Sequence, residues 1–360
     1  KLAHPDGELA TSRAAAKFGL AMGLSSYSNY PLEEVAAQGT GNPYVMQMCV
    51  LRDRSITLQL LERAESMSYL NGFFVWLHWL GGANILFQGW VKALFLSVDV
   101  PVLGKRINEY RNEYTIPDDM SWPNILSHGA DHSDRTDYGM YGGADLKLRE
   151  VVENMLIFKD PSLDWEETIP WLRQHTSLKI WLKGGMFVLL SDSSKAGHSS
   201  ANIDDTVTTP EDIELAIKYG IDGIVISNHG GRQLDGMPST LDALRVCAPV
   251  AKGRIPIAVD GGIRRGSDIF KALALGAASA LSEESRSGGW LYVFLLLVML
   301  FTDQIQYNGQ EGVELAIKIL RQELRITMAW LGKLRIPLFW NAKKEKRKRK
   351  KKKDANRKQV

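Results

Sequence analysis

A histidine and an arginine three residues apart, His229 and Arg232, stand in the glycine-rich stretch Ser227-Asn228-His229-Gly230-Gly231-Arg232-Gln233. The stretch follows Gly223-Ile224-Val225-Ile226, a β-branched run with the composition of a buried strand. Imidazole as a class can take up a proton near neutral pH, and a guanidinium holds a carboxylate or phosphate by a fixed fork of donors. About thirty residues on, Ile255-Pro256-Ile257-Ala258-Val259 leads into Asp260-Gly261-Gly262-Ile263-Arg264. Here paired glycines let backbone N–H groups approach an anion closely. The two stretches together predict an active site beside a phosphate-bearing cofactor.

The elements that position them alternate. Helices are expected over Leu9–Phe18, Pro31–Ala37, Arg54–Glu65, Pro210–Tyr219, Leu241–Cys247 and Asp268–Leu275. Strands are expected over Leu20–Ser26, Tyr44–Val50, Ala93–Asp99, Leu178–Gly184, in the Gly223 run and in the Ile255 run. Apolar strands separated by helices imply a parallel sheet covered on both faces. Each strand ends in a polar residue: Ser25, Gln47, Asp99, Lys183, His229 and Asp260. Polar groups gathered at the carboxyl ends of parallel strands are the layout of a TIM-type (β/α)8 barrel mouth. In a doubly wound sheet, the competing architecture, the glycine-rich turn would follow the first strand.

These residues resemble the FMN-dependent α-hydroxy acid dehydrogenases, the group of glycolate oxidase, lactate oxidase and flavocytochrome b2. The resemblance spans 1–65, 91–138, 160–184, 209–279 and about 307–332. It implies oxidation of an L-2-hydroxy acid to a 2-oxo acid with FMN as cofactor. It casts His229 as the base and Asp99 as the carboxylate behind it. Arg106 and Arg232 would hold the substrate carboxylate, with Tyr27 and Cys49 also in the substrate pocket. Lys183 would lie at the N1/O2 edge of the flavin, where a fixed cation stabilises the reduced, anionic ring. Ser25, Gln47, Ser97 and Ser227 would contact the ring and ribityl chain. Asp260, Gly261, Gly262 and Arg264 complete the cofactor set, Gly262 and Arg264 at its phosphate. Without the resemblance, Asp99 with Arg106 reads as a surface ion pair, whereas Lys183 is still read as a site residue, with a surface lysine as the alternative.

The chain departs from the family pattern. Segments at about 66–90, 139–159, 185–208 and 280–306 interrupt matching stretches that then resume. Three begin at Ser66-Met67, Gly139-Met140 or Gly185-Met186, whose codons can spell an intron donor. The expectation is translated intron sequence, which an mRNA encoding all four segments would overturn; loop insertions are the other reading. The family's first barrel strand has no counterpart, and its last strand, which ends in Gly-Arg, is replaced by Ala280-Leu281-Ser282-Glu283. An incomplete barrel of six strands is therefore expected, over residues 1–332, followed by a basic, disordered tail over 333–360.

Of 44 basic residues, 12 lie between Lys343 and Lys358 beside two acids, which leaves the remainder with 32 basic and 39 acidic, net −7. An acidic body argues against a nucleic-acid-binding core, and nucleic acid enters only through a rival reading in which the tail binds it. An inactive remnant that binds no flavin and another phosphate-binding barrel enzyme are the remaining rivals. Two cysteines, Cys49 and Cys247, supply no disulfide framework, and Lys1-Leu2-Ala3-His4-Pro5 is not a secretory leader. The cytoplasm is the expected location, with mitochondrion and peroxisome left open. The apolar runs Phe73–Gly89 and Trp290–Phe301 are too broken or too short to span a membrane, so no membrane association is expected. His128 and His132 are spaced for one helix face but read as a loop, and no metal is assigned. The expected partner is a small 2-hydroxy acid; the electron acceptor stays open, and a homo-oligomer is compatible.

Overall fold

The computed structural model describes residues 3–69, 91–100, 104, 111, 120–125, 160, 163–184, 209–277 and 302–332. Helices α1 (Gly7–Phe18), α2 (Leu32–Ala37) and α3 (Arg54–Tyr69) alternate with strands β1 (Met22–Ser25), β2 (Tyr44–Met48) and β3 (Val91–Ser97). Then come α4 (Trp165–His175), β4 (Lys179–Lys183), α5 (Pro210–Lys218), β5 (Gly223–Ile226), α6 (Thr240–Ala251), β6 (Ile257–Val259), α7 (Gly266–Ala274) and α8 (Thr302–Trp330). All strands pair in parallel in chain order from β1 to β6, a curled, incomplete (β/α) barrel. The expected strands form: β5 has the expected span, β3 is shifted two residues towards the N-terminus at unchanged length, and the other four are two or three residues shorter than read.

Strand side chains alternate between two environments, as a period of two requires. Outward residues such as Leu24, Met46, Leu94, Ile180, Ile224 and Ile257 join the helices in one large core. Inward residues Val45, Ala93, Phe95, Trp181, Val225 and Ala258 form a separate cluster that fills the barrel floor. One inward position further along, the residues become Gln47, Ser97, Lys183, Ser227 and Asp260. The strands look uniformly apolar in sequence because both of their faces carry apolar residues, one against the barrel floor and the other against the helices. Polarity enters only at the carboxyl rim.

Caps set several helix starts. Asp164 accepts from Glu167 N at the head of α4, and Ser239 accepts from Asp242 N at the head of α6. Thr209 and Asp212 form a reciprocal capping box on α5, with Pro210 in the first turn. Helix α4 was not anticipated, although Asp164 followed by Glu166 and Glu167 is a helix-start pattern. The helix expected over Leu241–Cys247 continues to Ala251 through Pro249. At the far end, Asn308 and Gly309 leave helical dihedrals, so the Thr302–Trp330 span is kinked there.

Helix α8 packs against both α7 and α1, joining the last described βα unit to the first. Lys17 Nζ pairs with Glu314 Oε2 at 2.5 Å, and Arg13 Nε donates to Gln310 Oε1 at 2.9 Å across this contact. The helical layer thus passes behind the sheet edges β1 and β6. The tail, the two long apolar runs, His128 and His132 lie outside the described residues.

Burial raises the carboxyl of Asp212 to about 6, against its hydrogen bonds with Thr209. The folded state therefore binds this proton more tightly than the unfolded chain does. Its effect is to lower stability as pH rises from about 4 to about 6, with no further change above. Asp212→Asn keeps the acceptor for Thr209 N and cannot ionise. The variant is expected to gain up to roughly 3 kcal/mol on wild type between pH 4 and 7. Denaturant melts at both pH values measure it, and a constant difference between the two proteins would count against this assignment.

Candidate active site

The site is built on the carboxyl rim of the sheet, where the inward positions turn polar. Lys183, at the end of β4, is 1% exposed, and so is Asp260 just beyond β6. Their Nζ and Oδ2 atoms lie 3.1 Å apart, an ion pair without hydrogen-bond alignment. Lys183 Nζ does donate to Ser227 Oγ at 3.1 Å. Burial pulls the Lys183 ammonium down, but Asp260, Asp99 and Cys49 outweigh it, and its pKa is raised. The lysine is thus a fixed cation inside the barrel, not the surface residue that its strand-end position alone suggests.

Ser227 connects this cation to the histidine loop. Its Oγ also accepts from His229 N at 3.0 Å, just ahead of the short 3₁₀ turn His229–Gly231. Asn228 caps that turn by accepting from Gly230 N at 3.2 Å. His229 adopts φ = 52°, the sole positive φ on a non-glycine among the described residues. Its Nδ1 lies 3.0 Å from Asp99 Oδ2. Against a carboxylate acceptor Nδ1 is the donor, which leaves the lone pair of a neutral ring on Nε2. Asp99 is 7% exposed, so it is no surface ion-pair residue. A Cβ on Gly184 would sit 2.3 Å from Asp99 Cγ, so the carboxylate occupies space that any other residue there would take.

Of the other expected residues, Gln47 and Ser97 share this rim. Gln47 Nε2 donates to Ser97 Oγ at 2.9 Å and lies 3.9 Å from Cys49 Sγ. Ser25 Oγ, on the edge strand β1, accepts from Tyr27 N at 3.1 Å. The Tyr27 ring meets Trp122 edge-on, with centroids 5.7 Å apart. Arg232 is exposed beyond the 3₁₀ turn, and its backbone carbonyl abuts Gly104. Arg106 lies outside the described residues. After β6, Gly261 is tied down by Thr240 Oγ1, which donates to its carbonyl at 2.9 Å. Gly262, at φ = 72°, borders open space that a Cβ would enter. Arg264 is exposed, and its backbone N donates to Asp268 Oδ2 at 3.1 Å. The sequence reading assigned nothing to Asn228, Gly184 or Trp181. Asn two residues before a glycine can bond that glycine's N–H with its side chain, a turn signal, and Trp181 is one inward position below Lys183.

The sequence pattern of the FMN-dependent dehydrogenase family matches residues 1–74, 88–192 and 206–337. The chain belongs to the FMN-dependent dehydrogenase family. Among relatives of this FMN-dependent dehydrogenase, Oxidase FUB9 of Fusarium oxysporum f. sp. lycopersici is 37% identical over 335 residues, 92% of this chain and 67% of that protein. Glycolate oxidase 3 of Arabidopsis thaliana is 35% identical and 2-hydroxyacid oxidase 1 of Mus musculus 34%, each over 92% of this chain and 71% of the relative. The crystal structure of mandelate oxidase with (S)-4-hydroxymandelic acid superposes with a TM-score of 0.62 at 29% identity, covering 91% of this chain and 72% of that one. This FMN-dependent dehydrogenase is accordingly an oxidoreductase of the 2-hydroxy acid oxidase type. None of its described helices is long and apolar enough to cross a membrane.

The rim fits FMN. Oδ1 of Asp99 and Oδ1 of Asp260 are buried without a hydrogen-bond partner among the described residues, so the rim holds unused polar capacity. Gln47, Ser97 and Lys183 place an amide, a hydroxyl and a cation on successive strands, groups that could meet the polar edge of the ring. Gly262, fronting open space, suits the phosphate end.

Lys183 and Asp260 are expected to stand or fall together. Lys183→Met leaves the Asp260 carboxylate buried without its counter-charge, costing about 3–5 kcal/mol. Adding Asp260→Asn should recover most of that loss. Equal denaturant midpoints for the single and double variants would show that the two charges are not coupled.

Proposed function

We propose that this chain oxidises an L-2-hydroxy carboxylate to the 2-oxo acid, with His229 as the base and Arg106 and Arg232 as the carboxylate ligands. The observation that carries the reading is the His229 Nδ1–Asp99 Oδ2 contact of 3.0 Å, held at the rim beside the buried Lys183. A carboxylate on Nδ1 fixes the imidazole so that Nε2 can accept the substrate's proton, and it stabilises the imidazolium that results. FMN supplies the acceptor for the two electrons that leave with the C–H bond. Lys183 places positive charge where the reduced flavin is expected to carry negative charge. Arg232, three residues after the base, is positioned by the same loop. Its guanidinium can hold the substrate carboxylate while the hydroxyl-bearing carbon faces His229.

The substrate class is supported by the relatives, whose names include glycolate oxidase, 2-hydroxyacid oxidase and mandelate oxidase. Within this reading Tyr27 and Cys49 lie on the substrate side. A thiol at Cys49 offers only a weak donor, so substrate orientation falls mainly to the arginines.

Purified with FMN, the full chain is expected to show flavin absorbance that glycolate, L-lactate or (S)-mandelate bleaches without oxygen. His229→Gln should keep the colour and slow bleaching by a factor of about 10² to 10⁴, the usual contribution of a positioned base. Undiminished bleaching by the variant removes His229 as base. Failure of the wild-type chain to retain added FMN removes the enzymatic reading altogether.

A further inference from the structure

Gln233 follows Arg232, and its carboxamide bonds two points of the segment that leaves β3. Its Oε1 accepts from Gly104 N at 3.2 Å, and its Nε2 donates to Asp99 O at 3.4 Å. The two loops are in close contact here. A Cβ on Gly104 would lie 2.6 Å from Arg232 O and from Gln233 Cα, both backbone atoms that cannot swing aside. The segment bonded in this way begins with Asp99, which holds His229, and leads within two residues of Gly104 to Arg106.

We infer that Gln233 is a positioning residue for the reaction: it ties the end of β3, at Asp99 and Gly104, to the β5 loop, with His229 and Arg232. The inference rests on the reading of His229 as base and of the arginines as carboxylate ligands. An amide suits the task because it donates and accepts from one planar group. Glutamate has the same shape but cannot donate, so it would keep the Gly104 bond and set a negative oxygen against the Asp99 carbonyl. Methionine has a similar length and loses both bonds. When the two loops are untied, the imidazole loses the backbone anchor of its partner, and the loop that carries Arg232 is no longer held against the end of β3. Both the chemical step and substrate binding should suffer, since small misplacements in a reacting pair are costly.

The test uses the full chain loaded with FMN and whichever of glycolate, L-lactate or (S)-mandelate bleaches wild type fastest. Gln233→Met is expected to keep the flavin spectrum, to slow anaerobic bleaching at saturating substrate about tenfold, and to weaken half-saturation as well. Gln233→Glu should be slower still. A merely structural loss would lower the amplitude of bleaching and leave the rate of the surviving flavin unchanged. Wild-type rate and half-saturation in Gln233→Met overturn the inference. If that variant does not hold flavin, hydrogen exchange of the wild-type chain decides: the Gly104 amide should be protected, and free exchange overturns the strap. The two readings separate cleanly. Loss of bleaching in His229→Gln together with normal bleaching in Gln233→Met removes the strap alone, whereas normal bleaching in His229→Gln removes the reading beneath it.

Discussion

One ammonium group dictates the upper layer of this barrel. Lys183 is placed in the sheet interior, where an unpaired charge would be untenable. Its neighbours follow from that placement: Asp260 from the next strand but one, Ser227 from the strand between, and Asp99 within electrostatic reach. Ser227 then reaches on to the His229 backbone, and Asp99 to the His229 ring. The Lys183 cation and the His229 imidazole are thus parts of one hydrogen-bonded set, so the charge at the rim and the orientation of the imidazole are not independently adjustable.

Below that layer the barrel is ordinary packing. Phe95 and Trp181 fill the floor with rings 5.7 Å apart, and the aliphatic residues of the opposite strand face bind the helices. The helical layer links α7 through α8 to α1 behind the edges β1 and β6. The curl of the six strands is therefore held from outside by helix packing as well as by the sheet's own hydrogen bonds. This keeps all six strand ends pointed at one rim.

Much of this was legible in the residues. Strand order and the polar rim followed from the alternation of elements and from which residue ended each strand. The burial of Lys183 was not, because an isolated lysine at a strand end looks the same whether it faces in or out. Only the inward register of Trp181 and Val225 beside it resolves the question. Asp99 looked like half of a surface pair for a similar reason: its partner, His229, is 130 residues away. Helix α4 escaped notice because Trp165, Pro170 and Trp171 mask its period, although its cap was in plain view. Gln233 lay inside the quoted motif without a task, since its two bonds are to backbone atoms that no sequence pattern marks.

The backbone of His229 sets stability and chemistry against each other at a single position. An L-residue held at φ = 52° is strained where glycine would not be, at a cost on the order of 1 kcal/mol or more. Glycine at 229 would release that strain but would also strip the buried Asp99 carboxylate of its imidazole partner, so backbone ease and side-chain pairing pull against each other at this one residue.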